Sequence, residues 1–180
     1  DFDRNALSCQ NKIAGIYHPP CRSWGQLKHL AKPRPGERKL AIWSLLKINR
    51  NGGVLEHPYN SELFKHYKFL MDGGIIVNIE QVWFGHKARK PTKLYIKGLD
   101  YNELPSYEIL ATEPTHQVSN FKFGSNYRKK NNVLPELHKA DREKTPVAFA
   151  DWLVQICRKI QNKKISSNGE LPYFGQMGLY

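Results

Sequence analysis

Short apolar runs alternating with helical periodicity predict an α/β domain, a mostly parallel sheet of Rossmann-like topology flanked by helices, with residues 1–180 as a single unit. Three observations carry this expectation. Residues 13–17 (Ile-Ala-Gly-Ile-Tyr) form a short apolar run stopped by Pro19 and Pro20, as a buried strand running into a fixed turn would be. The stretch from Gly52 to Pro58 repeats the pattern, with Val54 and Leu55 delivering Glu56 to a strand end. Between them, 37–49 has helical periodicity, giving strand, crossover helix, strand, a unit whose two strands are parallel and end on the same edge of the sheet.

Taken in order, Asp1 and Asp3 stand where a strand begun upstream would end, a place where acids hold a ribose in nucleotide-binding sheets and where solvated termini are also found. The turn after Pro20 displays Cys21, and Arg22, Lys28 and His29 lie within a few residues to favour a thiolate. The stretch 22–38 is basic, with Glu37 its single acid, and reads as an ordered loop in which Trp24 either stacks on a base or covers the core. In the helix 37–49, Leu40, Ala41, Trp43, Leu45, Leu46 and Ile48 spread over a broad face suited to packing on a sheet, and Gly52 and Gly53 end it. Leu63, Phe64, Tyr67 and Leu70 predict a second crossover helix over 60–70. Strands are expected at 75–79, 81–84 and 92–97, the last pair antiparallel.

The turn 85–92 carries Lys87, Arg89 and Lys90 and no acid; it suits a phosphate, or is a solvated hairpin tip. Periodicity fades over 101–141, an irregular loop region. Within it, 121–130 interleaves aromatics with cations, ending in Arg128, Lys129 and Lys130, the composition of a base-stacking surface or of a loop. A closing helix over 143–164 has Thr145 as cap, Pro146 in its first turn and a stripe of Phe149, Trp152, Leu153, Ile156 and Ile160 that brings Cys157 to the core.

Apolar residues make up 40% of the chain, which excludes wholesale disorder, and no apolar run is long enough to span a bilayer. Three cysteines at unrelated spacings argue against a disulfide framework and for the cytoplasm. The chain opens at Asp1 rather than Met, so residues upstream are expected. A net charge of +12 points to DNA or another nucleic acid as partner, with no membrane; a generically basic, well-solvated surface is the alternative.

A thiolate and a carboxylic acid at one sheet edge suit chemistry on a pyrimidine ring: Cys21 adds to the ring carbon beside the reacting one while Glu56 holds a ring nitrogen. His18 is expected to fix the Pro-Pro turn and His57 to orient Glu56. His18 and Cys21 have a zinc-like spacing, but no second cysteine follows in the pattern that zinc deaminases use, and no metal is expected.

At these residues the chain resembles the DNA cytosine-5 methyltransferases: Pro19-Pro20-Cys21 matches their nucleophile motif and Glu56 their second motif. The wider pattern, from His18 to Trp24, through Glu56-His57-Pro58, to the segment from Phe84 to Tyr95 and the end from Arg142 to Leu153, more closely resembles a group of small phage and prophage proteins. The resemblance implies a methyltransferase-like fold, S-adenosylmethionine as cofactor and a phage-encoded protein in a bacterial host. It makes Cys21 the nucleophile, Glu56 the ring-nitrogen partner, and Arg89 and Lys90 counterparts of residues that contact a flipped nucleotide. No glycine precedes Gly15, so the family's glycine-rich cofactor turn is not visible. The competing expectation is a non-enzymatic binder of the same fold that masks DNA or engages a host protein. Arg22, Trp24, Lys87, Arg89, Lys90, Arg128, Lys129 and Lys130 are the expected nucleic-acid contacts.

Overall fold

The computed structural model describes residues 12–25, 28–118 and 134–168. Four strands form one sheet: β1 (Gly15–Tyr17), β2 (Gly53–Pro58), β3 (Ile75–Glu80) and β4 (Pro91–Lys97), in the order β1-β2-β4-β3. The helices are α1 (Glu37–Asn51), α2 (Leu63–His66), α3 (Lys139–Arg142) and α4 (Val147–Asn168), with single 3₁₀ turns at Lys68–Leu70, Gln81–Phe84 and Tyr101–Glu103.

Alternation along the strands gives the sheet two apolar faces. Val54, Ile79, Leu94 and Ile96 pack under α4, whose Phe149, Trp152, Leu153, Ile156 and Ile160 form the predicted stripe. Leu55 and Tyr95 pack under α1, against Ala41, Leu45 and Ile48. Helix α1 starts at Gly36, a left-handed residue (φ 85°), and stops at Gly52, whose N–H donates to the Ile48 carbonyl at 2.8 Å. Gly53 is needed for another reason. A Cβ there would lie 2.8 Å from the Gly15 nitrogen and closer still to its carbonyl oxygen, so only glycine lets β2 begin hard against β1.

The expectation of a mostly parallel, Rossmann-like, methyltransferase-like sheet is overturned. Only β1 and β2 are parallel; β4 runs antiparallel to both β2 and β3. The reason lies in the link between β3 and β4. Residues 81–84 are a 3₁₀ turn rather than a strand, and what remains of 85–90 is too short for a crossover, so β4 must fold back. It inserts between β2 and β3, a choice of neighbour that strand periodicity does not encode. The predicted helix over 60–70 is broken as well, into α2 and the Lys68–Leu70 turn. The closing helix begins four residues later than expected, with Pro146 just before it and accepting from the Ala150 N–H.

Most of 104–138 is irregular where described, tied down by short bridges from Ala88 to His116 and from Gln117 to Glu136. Trp152 anchors this region by donating its indole N–H to the Pro105 carbonyl at 2.8 Å. Among the described residues no helix is long and apolar enough to cross a membrane.

Candidate functional site

Tyr17, the last residue of β1, pairs with Leu55, whereas β2 runs on to Pro58, so Glu56 sits within the strand rather than at its expected end. Immediately beyond β1, His18 Nδ1 meets Glu56 Oε2 at 2.9 Å. Glu56 shares the α4 side of β2 with Val54, and is only 16% exposed. Its other oxygen faces the amide nitrogen of the buried Gln81 at 3.5 Å, and that same nitrogen donates to Thr92 Oγ1 at 2.9 Å. Thr92 in turn donates to the Lys90 carbonyl at 3.0 Å. The Gln81 amide oxygen is buried and has no partner.

Cys21 opens the turn that follows the two prolines. Its carbonyl accepts the N–H groups of Trp24 (2.9 Å) and Gly25 (2.8 Å), and the residue is exposed. Surrounding protein still withdraws enough water to push the thiol up from its ordinary value. Its own backbone N–H opposes that shift, the Glu56 carboxylate adds to it, and Lys90 and Arg22 pull it down. Lys90 is half-buried and shifted downward, first by desolvation, with Glu56, Cys21 and Glu143 acting to keep it charged. Its ammonium also donates to the Lys144 carbonyl at 3.3 Å. Cys21, Glu56 and Lys90 therefore share one electrostatic environment at one edge of the sheet.

A direct check follows. Glu56→Gln removes a charge that raises the thiol, so Cys21 should be alkylated faster by iodoacetamide at mildly alkaline pH; Lys90→Gln should slow it. Equal rates in the two variants would mean that the three groups are not coupled.

Other expected residues fall differently. Arg22 is engaged by the buried Glu37 at 2.5 Å, which ties the Cys21 turn to the first turn of α1. Trp24 is corrected from base-stacking candidate to core residue: it is 1% exposed, packs edge-on to Tyr67 at 5.6 Å, and has the Arg38 guanidinium 4.5 Å from its ring. Burial of this one aromatic depends on where α1 and α2 cross the loop, which local sequence does not show. Lys87 and Arg89 are exposed on the turn. Arg89 reaches Glu113 at 3.9 Å, while the Lys87 carbonyl accepts from the backbone of Thr115 and His116. Arg128, Lys129 and Lys130 lie outside the described residues.

The histidine that holds Glu56 is His18, not the expected His57. His57, one residue on from Glu56 and therefore on the opposite face, is buried against Phe64 with neither ring nitrogen hydrogen-bonded. Desolvation lowers His57 to about 4, and Glu56 and the backbone of Pro20 and Pro19 only partly oppose it. Gln81 and Thr92 were not singled out by the sequence. The available signal was a polar residue at a strand end, the same that marked Glu56.

Among the described residues no group of His, Cys, Asp and Glu is placed to hold a metal ion. No family model, no curated protein and no solved structure matches the chain.

Proposed function

We propose that the chain binds nucleic acid and handles a pyrimidine base beside the end of β1, where Cys21 and Glu56 lie. The observation that carries this is the convergence of an exposed thiol, a hydrogen-bonded carboxyl and a half-buried ammonium: Cys21 beyond the end of β1, Glu56 within β2 and Lys90 just before β4. In the proposed step Cys21 loses its proton to solvent as the base docks, with Lys90 favouring the thiolate. The Sγ–C6 bond forms, the C5–C6 π electrons move toward ring N3, and a proton that Glu56 takes up from solvent as the base docks is passed to N3. His18 and Gln81 hold Glu56 in place. C5 then takes a proton from solvent and loses the original one to solvent; as the Sγ–C6 bond breaks, the N3 proton returns to Glu56, restoring the ring and the thiolate.

S-adenosylmethionine would supply the methyl group in a complete cytosine-5 transfer. The glycines that open β1 and β2 do not form a cradle for it: Gly53 is filled by the Gly15 backbone and Gly15 by the Tyr17 ring. The described residues do not fit that group, and the reaction proposed stops at addition, exchange and release. The raised Cys21 thiol favours a second reading, a phage-type binder of nucleic acid or of a host protein in which the same edge grips without reacting.

The test needs no cofactor. A cytosine oligonucleotide incubated with the protein in D₂O should acquire deuterium at C5, read by mass spectrometry after digestion. Cys21→Ser should abolish the exchange and Glu56→Gln should slow it. Absence of exchange in the parent protein, with oligonucleotide binding intact in both variants, would reject the nucleophile and leave the binder.

A further inference from the structure

We infer that a second surface, the open α1-side face of β3 and β4, is a track for single-stranded nucleic acid. Helix α1 packs over β1, β2 and Tyr95, but beyond them only α2 and the Lys68–Leu70 turn follow, and these stop short of closing the face. The result is a groove of about 850 Å³, walled by Phe64, Phe69 and Ile76 and rimmed by Lys65, Lys68 and Lys93. A smaller hollow, lined also by Glu62, continues it through Phe64, Lys65 and Lys93 to Tyr59. Shared lining residues make the two a continuous path on this face.

Its chemistry is specific. Phe69 is 72% exposed and Tyr59 41%, which for large aromatics beside lysines is a surface offered to flat partners. The Lys93 ammonium sits 4.6 Å from the Tyr59 ring centroid and 5.3 Å from that of Phe64, so cation and aromatic are interleaved at contact distance. Among the described residues Lys65, Lys68 and Lys93 have no carboxylate partner; Asp72 is the one acid lining the main groove, and Glu62, in the smaller hollow, is paired with Lys28. Unneutralised cations follow a phosphate backbone, and exposed rings stack on bases that are not already stacked in a duplex. Charge and shape therefore select single strands. The path reaches Tyr59, one residue beyond the end of β2, on the face of the sheet opposite Glu56.

The track rests on the nucleic-acid part of the function proposed above, but not on Cys21 chemistry. Fluorescence anisotropy with a labelled single-stranded DNA, its duplex and polyglutamate tests it. The single strand should bind most tightly, and Phe69→Ala should weaken it by about fivefold or more with the thermal midpoint unchanged. Lys65→Gln, Lys68→Gln and Lys93→Gln together should lower the slope of log affinity against log salt by about 2, at roughly 0.7 per phosphate contact on a single strand. Equal binding of duplex or polyglutamate, unchanged affinity in both variants, or a self-association lost in Phe69→Ala would overturn the track. Deuterium exchange without groove-dependent binding sinks the track alone, and groove-dependent binding without exchange sinks the nucleophile alone.

Discussion

Gly53→Ala is expected to cost at least about 4 kcal/mol of stability, in the range reserved for mutations that break a structural element. The backbone there has φ 133°, a region that an L side chain rarely adopts, and the new Cβ would collide with the Gly15 backbone. Neither atom can swing aside, because both belong to paired strands. Relief requires β1 to leave β2, and with it the Cys21 turn leaves Glu56. Gly36→Ala is the matched comparison: φ is also positive there, at 85°, but nothing lies within 4 Å, so only the left-handed backbone cost of about 1 kcal/mol applies. Urea unfolding of the two variants checks this. Similar midpoints would mean that the contact between β1 and β2 is not needed for the fold.

The second large effect is a loss of stability on mild acidification, traced to His57. Its pKa is about 4 in the folded protein against 6.5 for a free imidazole. Between these values the unfolded chain binds the extra proton and the folded one does not, so stability is full above pH 6.5 and falls as pH drops toward 4. The separation corresponds to about 3 kcal/mol at 1.36 kcal/mol per pH unit. Glu56 is the charged group that opposes the shift, and Lys93 pairs with His57 in the strand register. Exposed carboxylates such as Glu62, Glu103 and Asp141 are held low by lysines and lose their contribution at lower pH. His57→Leu removes the imidazole while keeping an apolar side chain beside Phe64. The difference between the variant and parent stability curves should therefore grow between pH 4 and 6.5 and be flat above. A constant difference across that window would show that His57 is not buried neutral.

Both effects concern residues whose roles are only half legible in the chain. Gly53 reads as a helix stop, and that much is correct for the pair Gly52-Gly53, but its contact with Gly15 joins residues far apart in sequence. His57 reads as a neighbour of Glu56, and along the chain it is. A strand sends consecutive side chains to opposite faces, however, so the histidine that reaches Glu56 comes from the next strand.

The sequence alone determined the elements whose signal is local. The apolar run before Pro19, the period of α1 and of the α4 stripe, and the parallel strand pair joined by α1 all follow from hydrophobic spacing and from the proline and glycine stops. That parallel pair also sets His18, just beyond β1, beside Glu56 within β2. Tertiary structure alone decided the rest. It folded β4 back between β2 and β3, since pairing partners are chosen by connection length and by which apolar faces can be covered together. It buried Trp24 and left Phe69 exposed, although both are aromatics in basic surroundings, because burial is set by the crossing of α1 and α2 over the sheet. It brought His18, Gln81 and Lys90 to Glu56 from three separate segments, a convergence that no spacing along one chain records.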